Sequence, residues 1–282
     1  PPDPSPFRYE PLPTTQFGLI VVCRQERISS QPNGSDCLAH NEVYLAIPVH
    51  RCEDGPPPTQ KVVWVQPFVF GDNPTVLFST REIVGLAMAP ADIDCQAFAP
   101  NQLLADVEIN GIVTFGPSAC SELIPCMHVA TGAVSNKVLG DFANENPDLG
   151  AFLKVAGESG FFAVPAPLQR GGAPKPCELN TLKQFRAVND MEAAVYRAIV
   201  ACRSTHSNVD NLVYFDPDKV EIDFTWSASV SEMLALFDIK PPPPTGYAPG
   251  SPDRASVRVE LAYAFTSTVD FCVLKTLHTY DG

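Results

Sequence analysis

Short apolar runs, separated by stretches rich in proline and glycine, make up most of the chain and predict a protein built mainly from β-strands. Residues 17–23 are apolar almost throughout, which predicts a strand buried on both faces. The other strand-like runs span residues 42–49, 61–70, 103–107, 112–115, 212–215, 220–226, 257–265 and 269–277. Asn110-Gly111 lies between two of these runs and predicts a hairpin turn there.

The run 61–70 carries the clearest alternation. Trp64, Gln66, Phe68 and Phe70 follow one another at every second position, which predicts that they share one face of a strand. Pro67 cannot donate a backbone hydrogen bond, so it predicts a sheet edge or a bulge.

Helices are predicted within 136–153, around 191–197 and over 229–237, where Ser229 and Glu232 have the spacing of a capping box. At least eight strands with two or three helices predict an α+β fold, mostly antiparallel β, as a curved sheet or barrel around an apolar interior. We assign residues 1–240 to one domain and residues 241–282 to a proline-rich linker and strand extension of the same domain.

Composition sets limits on partners and on location. The 282 residues carry a formal charge of −13, which argues against binding to nucleic acid or to an anionic membrane. No apolar run approaches the roughly 20 residues that span a bilayer, and residues 1–13 lack the pattern of a signal peptide. Nine cysteines without a CxxC pair predict free thiols in a reducing compartment, so we expect a cytoplasmic protein.

Common catalytic signatures are missing from the sequence, which contains no GxSxG, P-loop, GxGxxG or HExxH motif. The histidines stand apart without metal-ligand spacing, so we expect neither a metal nor another cofactor. They are His40, His50, His128, His206 and His278. A nucleophilic cysteine with a histidine base stays open, because such pairs meet in space and not in sequence.

Three segments carry a resemblance to a known family. They are residues 42–49 (EVYLAIPV), 72–85 (DNPTVLFSTREIVG) and 176–179 (PCEL). The first resembles the Glu-x-x-x-x-Ile-Pro-Val strand, and the second the Asp-Asn…Arg-Glu-x-x-Gly block, of the acetoacetate decarboxylase family; the third is similar to a strand start of some members. The resemblance runs loosely from the first residue to about Phe237, and it implies a barrel-like double sheet around an apolar pocket.

The family's chemistry uses a lysine that forms a Schiff base with a β-keto acid, beside a second lysine that lowers the pKa of the first. Where the family has Pro-Lys-Lys, this chain has Ala87-Met88-Ala89. A thioether cannot condense with a carbonyl, so an imine at Met88 is excluded. Lys183 is the best candidate for a lysine that has moved elsewhere.

The resemblance implies a site around Glu42, which matches the family's active-site glutamate and would act as acid or base. The alternative is an exposed carboxylate at a strand end. The predicted substrate-binding residues are Trp64, Phe68, Phe70, Arg81, Glu82, Leu86 and Met88. Arg81 and Glu82 would face opposite sides of a strand, or form a structural ion pair; the apolar residues would otherwise be plain core.

The sequence therefore predicts an imine-independent enzyme of small-molecule, in particular secondary, metabolism that acts on an apolar carbonyl-bearing substrate. Isomerisation, cyclisation, dehydration and aldol-type reactions are all open. The rivals are a non-catalytic small-molecule binding protein and a structural protein. A homo-oligomer is also open. The family's first strand and helix would precede Pro1, and we expect the C-terminal strands to take their place at a sheet edge.

Overall fold

A computed structural model describes residues 7–12, 17–28, 38–53, 59–86, 88–99, 102–112, 121–160, 176–186, 194–225, 235 and 254–280. Within them lie twelve strands and three α-helices. The strands are β1 (Phe7–Pro11), β2 (Leu19–Ile28), β3 (Leu38–Glu53), β4 (Thr59–Gly71), β5 (Met88–Ala99), β6 (Gln102–Ile112), β7 (Ser121–Ala130), β8 (Cys177–Arg186), β9 (Ala194–Phe215), β10 (Glu221–Thr225), β11 (Arg254–Ser256) and β12 (Ala262–Tyr280). The helices are α1 (Pro74–Ser79), α2 (Leu139–Glu145) and α3 (Pro147–Glu158).

The strands form one large mixed sheet in the order β11-β10-β7-β6-β5-β4-β8-β9-β12, and β3 joins β4 to β1 and β2. All pairs are antiparallel except β4–β5 and β4–β8. The predicted α+β class, mostly antiparallel β, is confirmed. A closed barrel is not, because the described strands run from β11 to β12 without a pairing between these two ends.

Two apolar clusters lie on opposite faces of β3 and β4. The first, called core one, packs the central strands against α2 and α3 and includes Trp64, Val69, Met88, Phe152, Leu179 and Cys202. The second, called core two, packs β3 and β4 against β5, β6, β7 and β10 and includes Val43, Phe70, Ile93, Val107, Met127 and Phe224. The helices, the central strands and the remaining strands therefore form three layers.

A bulge in β4 decides which side chains meet. Leu45 of β3 pairs with Phe68, but Ile47 pairs with Val65, so β4 holds one extra residue next to Pro67. The predicted bulge is confirmed. Because an extra residue reverses the alternation of side chains, Trp64 lies in core one while Phe68 and Phe70 pack in core two. The prediction that they share one face is therefore wrong.

The segment after β4 is helical. Asn73 caps α1 with its side chain, which accepts hydrogen bonds from the backbone N–H groups of Thr75 and Val76, and Pro74 takes the first helical position. A π-helical turn, Thr80–Val84, follows and ends at Gly85 with φ 76°. Arg81 and Glu82 are both exposed on this turn, so their predicted placement on a strand is wrong.

The predictions of one hairpin turn and three helices have different outcomes. The hairpin turn at Asn110-Gly111 is wrong, because both residues lie within β6 and continue its pairing with β7. The helix predicted around 191–197 conflicts with β9, which already begins at Ala194. The helix predicted within 136–153 is confirmed as α2 and α3. The helix over 229–237 lies outside the described residues except Ala235, which is helical.

The outer strands also differ in detail from their predictions. β2 is only half-buried along its apolar half, so the strand predicted to be buried on both faces is covered less than expected. The two predicted C-terminal strands are one continuous strand, β12, which pairs with β9 through several irregularities in register and lies at the sheet edge, as expected.

Seven described cysteines are free thiols. No described helix has the length and hydropathy needed to cross a membrane.

Candidate functional site

Alternating residues of β3 bring polar side chains onto the face of core one. His40, Glu42 and Tyr44 follow each other at every second position, and Tyr44 packs against core one. Gly71 pairs with Glu42 across the neighbouring strand, and Asp72 follows directly. Glu42 and Asp72, from two of the three resembling segments, are thus brought together by the β3–β4 ladder.

His40 lies between the two carboxylates. Its ring is 0% exposed, Nδ1 lies 3.1 Å from Asp72 Oδ1, and Nε2 lies 3.5 Å from Glu42 Oε2. Asp72 also accepts hydrogen bonds from the backbone N–H and the side-chain amide of Asn41, at 2.8 and 2.7 Å. These bonds fix the Asp72 carboxylate, which in turn fixes the ring of His40.

The protonation of His40 follows from its neighbours. Burial works to lower the pKa of His40, but contact with Glu42 and then with Asp72 outweighs burial and raises the pKa above its ordinary value. Nε2 has no partner at ordinary hydrogen-bond distance among the described residues. The two carboxylates therefore stabilise the charged form of the ring, and Nε2 faces Glu42, whose side chain is 12% exposed.

Two further polar groups line Glu42. Gln25 donates a hydrogen bond to Glu42 Oε2 at 3.2 Å, and Cys23 pairs with Glu42 across β2 and β3. Burial, with the nearby Glu42 charge, raises the pKa of the Cys23 thiol, and burial likewise raises the pKa of the Tyr44 phenol. A thiol held in its neutral form is a poor nucleophile, which weighs against Cys23 and His40 as a nucleophilic pair.

Met88 lies beside His40. It is 2% exposed and lies in core one. A Cβ added to Gly71 would come within 2.7 Å of His40 Cε1 and 2.9 Å of Met88 Sδ. The absence of a side chain at Gly71 therefore leaves room for His40 and Met88 to pack there. Ala89 packs against core two instead. The position that resembles the family's Schiff-base lysine thus adjoins His40 at Gly71, the residue that pairs with Glu42.

The other predicted site residues lie at different places. Trp64 is 0% exposed, donates from Nε1 to Ser159 Oγ at 2.8 Å, and stacks edge-on against Phe152. Leu86 is buried in core one, close to Met88 in sequence. Phe68 and Phe70 face core two, and Arg81 and Glu82 point to the surface. Substrate contact by these residues stays a prediction.

Lys183 adjoins the turn that precedes Met88. A Cβ added to Gly85 would come within 2.5 Å of Lys183 Cβ and 2.6 Å of its Cα. The positive φ of Gly85 and this close approach both favour glycine. The backbone of Lys183 therefore supports the helical turn, while its predicted role as a displaced catalytic lysine stays a prediction.

The third resembling segment has a structural partner. Glu178 accepts hydrogen bonds from Arg51 and Lys61, and Arg51 also binds Asn180 at 3.1 Å and Glu53 at 2.8 Å. Burial would raise the pKa of Glu178, but Lys61 and Arg51 together hold it below its usual value. This network ties β3, β4 and β8 together and is separate from Glu42.

Surface pockets lie elsewhere. A pocket of about 520 Å³ lies between α2, the turn before β10 and residues 257–260, and another of about 560 Å³ lies on the outer face of β5, β6, β7 and β10. Neither is lined by Glu42, His40 or Met88. Within the described part of the chain, no group of three or more His, Cys, Asp or Glu side chains has metal-binding geometry.

Sequence reasoning missed His40 and Asp72 as site residues. His40 stands alone in the sequence but not in the fold, so its treatment as an isolated histidine is wrong. The available signal was the spacing of His40 and Glu42, which places both on one face of a strand already predicted to hold the active-site glutamate.

Neither protein-family models nor curated protein sequences match the chain. Solved structures do. The acetoacetate decarboxylase of Legionella pneumophila is 10% identical, with 98% of this chain and 90% of that chain covered and a TM-score of 0.45. The enduracididine biosynthesis enzyme MppR, complexed with pyruvate, is 10% identical, with coverage of 87% and 69% and a TM-score of 0.45.

A further acetoacetate decarboxylase is 13% identical, with coverage of 86% and 71% and a TM-score of 0.40. Two of these three structures are acetoacetate decarboxylases, the family that the sequence motifs resemble; at these identities and TM-scores the likenesses assign the chain no activity.

Proposed function

We propose that this protein is an enzyme that moves a proton on an apolar, carbonyl-bearing small molecule, without an imine, and that Glu42 is its acid and base. The observation that carries the proposal is the array of Asp72, His40 and Glu42, in which a fully buried imidazole lies 3.1 Å from one carboxylate and 3.5 Å from the other. Glu42, at its outer end, retains some exposure and can meet a substrate.

In this array, hydrogen bonds would hold the His40 ring and the Glu42 carboxylate in a fixed orientation. Asp72 would accept a hydrogen bond from Nδ1–H of His40 and hold the ring so that Nε2 faces Glu42. Because the ring of His40 is 0% exposed and its Nε2 faces Glu42, His40 would act on a substrate only through Glu42, by orienting this carboxylate. Gln25, bonded to the same carboxylate, would hold it in position.

The corresponding reaction begins at a carbon next to the substrate's carbonyl. Glu42 would remove a proton from this carbon, and the C–H electron pair would form an enolate. In a β,γ-unsaturated substrate, Glu42 would return the proton to the γ-carbon as the double bond moves into conjugation with the carbonyl. In a β-hydroxy substrate, the enolate would re-form the carbonyl, a C=C bond would form, the C–O bond would break, and Glu42 would give its proton to the leaving hydroxide to form water. The first outcome is an isomerisation and the second a dehydration. Met88 and Leu86 would provide the apolar contact that holds such a substrate.

The test uses a panel of apolar ketones, β-keto acids and polyketide-like carbonyl compounds, with product formation measured by mass spectrometry. Glu42→Gln removes the base but keeps the shape of the side chain, so we expect turnover to fall by about 100-fold or more. Glu26→Gln, an exposed carboxylate on the same pair of strands, is the matched control and should retain full turnover. Unchanged turnover in Glu42→Gln would refute the role of Glu42.

Borohydride separates the imine-free reaction from one that uses a displaced lysine. We expect no covalent adduct when wild-type protein is reduced in the presence of a turned-over substrate. An adduct that is lost in Lys183→Met would show that Lys183 replaces the family's lysine and would contradict the imine-free mechanism.

A non-catalytic binding protein is the second candidate. It is favoured by the replacement of the family's reactive lysine with Met88, whose thioether cannot form an imine. Binding without chemistry predicts that a ligand raises the melting temperature of the protein while no compound of the panel is converted, and that Glu42→Gln still binds it.

A further inference from the structure

We propose that β12 is an interface at which a second copy of this chain adds an antiparallel strand, about a two-fold axis near Cys272. β12 is the last strand of the sheet and, among the described strands, pairs with β9 alone. Its outer edge therefore carries backbone donors and acceptors without a strand partner in the described part of the chain. Such an edge is a template for another strand.

The apolar side chains of β12 are unusually exposed. Val269, Phe271 and Val273 are 48%, 43% and 41% exposed and alternate along the strand, so they lie on one face. Their partners on β9, His206, Ser204 and Cys202, lie at alternate positions too. In an antiparallel pair centred near Cys272, Phe271 of one copy lies opposite Val273 of the other. This arrangement covers both side chains and extends one apolar stripe across the two copies.

The charges of β12 favour a second copy over other occupants. Asp270 pairs with Thr205 and Lys275 with Ala201, and these β9 residues are four positions apart, so Asp270 and Lys275 face the same side. The irregularity between Val273 and Lys275 produces this match.

Asp270 lies two residues before the proposed axis and Lys275 three residues after it. In a regular antiparallel ladder with Phe271 opposite Val273, Asp270 would lie opposite Leu274. The extra residue between Val273 and Lys275 brings Lys275 to that place, so that Asp270 of each chain lies beside Lys275 of the other. Charges on an edge strand ordinarily discourage pairing, and an in-register parallel copy would set each charge against its own kind. Here the two charges have opposite signs and suit only the antiparallel arrangement.

The first test is a charge-swap series, followed by sedimentation over a range of protein concentrations. We expect wild-type protein to form a dimer, and Asp270→Lys or Lys275→Asp alone to weaken the dimer by about tenfold through like-charge contacts. The double variant Asp270→Lys with Lys275→Asp should restore it. A monomeric wild type, or a double variant no better than either single one, would overturn the proposal.

The second test locates the interface. Phe271→Lys should abolish the dimer, whereas Ile83→Lys, at a side chain 61% exposed on the helical turn, should leave it intact. Mild oxidation should cross-link the wild-type dimer through the exposed Cys272, and Cys272→Ser should prevent this.

Equal melting temperatures of wild type and variants, measured at a protein concentration low enough to dissociate the wild-type dimer, would confirm that the changes act on assembly and not on folding. A wild type that is monomeric because another segment of its own chain, or a different protein, covers β12 would contradict the inference.

Discussion

Among single residues, the buried side chains of Arg51 and His40 differ in how well their hydrogen-bonding groups are satisfied. Arg51 is surrounded by acceptors from two strands, β3 and β8, and its charge is compensated by Glu178 and Glu53. His40 is held between Asp72 and Glu42 but leaves Nε2 at 3.5 Å from its neighbour. A satisfied network stabilises a fold, whereas a poorly satisfied buried donor is a feature of functional sites. The first therefore predicts effects on stability and the second effects on chemistry.

His40 should make the protein's stability depend on pH. Its pKa is raised in the folded state, so the stabilisation from its charge is complete below the ordinary pKa of about 6.5 and is lost as pH rises through the higher folded value. We expect the difference in unfolding free energy between wild type and His40→Gln to shrink as pH rises in this window. Urea denaturation at several pH values measures it, and a difference that grows with pH would contradict the assignment.

Arg51→Met should reduce the free energy of unfolding by about 3 kcal/mol, because it leaves Glu178 without its buried partner. The matched control is Arg8→Met. Arg8 lies 3.8 Å from Glu10 on the surface, so a loss of no more than about 0.5 kcal/mol is expected. Chemical denaturation near neutral pH compares the two variants, and equal losses would show that burial of Arg51 is not decisive.

The pKa of Glu178 gives the same network an acid dependence. Because this pKa is lowered in the folded state, its stabilisation is present above the ordinary value of about 4.3 and is lost as pH falls through the lower folded value. Glu178→Gln should therefore lose less stability on acidification than wild type. Thermal melting between about pH 7 and pH 3 tests this, and parallel curves would contradict it.

At the scale of elements, irregularities determine the site more than the regular pattern does. The strand predicted over residues 61–70 exists, but the extra residue beside Pro67 divides its aromatic side chains between two cores. The alternation of side chains predicts which residues share a face only as far as the first bulge. Pro67 indicates a sheet edge or a bulge, but it does not show where the extra residue lies. Asn110-Gly111 carries a strong turn signal, yet pairing of β6 with β7 along its full length overrides it.

The start of the helical segment after β4 can be recognised in the sequence. Asn73 followed by Pro74 is a typical helix start, although residues 75–79 have the composition of a strand. The resemblance to a known family predicts that Glu42 and Met88 belong to one site, because it depends on order along the chain; in the structure both are neighbours of Gly71. The contacts of His40 depend on which residues two strands bring together, and these follow only from the register of β3 and β4.

Gly71 links β4 to the site, and Gly71→Ala should disturb both. The added methyl would lie 2.7 Å from His40 and 2.9 Å from Met88, so a loss of about 1–3 kcal/mol in unfolding free energy is expected, with lower activity. Gly140→Ala is the control, since nothing lies within 4 Å of its added methyl and α2 should gain about 0.5–1 kcal/mol. A Gly71→Ala protein as stable as wild type would show that the site is loosely packed.

On the scale of the whole molecule, the described layers share strands. β3 and β4 belong to both cores, and β12 covers the edge of β9 along almost its entire length. A strand of this length cannot be removed without exposing an equally long edge. We therefore propose that residues 1–240 and 241–282 fold as one unit.

One cooperative unit predicts a single transition in calorimetry, with the van't Hoff enthalpy equal to the measured enthalpy. A chain that ends after residue 240 should be less stable and should aggregate, since β9 then becomes an exposed edge. Two separate transitions in the full chain, or a stable and soluble shortened chain, would show that the C-terminal segment is a separate unit.

The most direct test of the proton-transfer proposal is exchange of substrate hydrogen for deuterium in heavy water, followed by NMR. We expect wild-type protein to exchange the hydrogen next to the carbonyl of an apolar ketone that binds it, and Glu42→Gln to reduce the exchange rate by about 100-fold while the ketone still binds. Exchange that persists unchanged in Glu42→Gln, or no exchange of a bound ketone by wild type, would contradict proton transfer at Glu42.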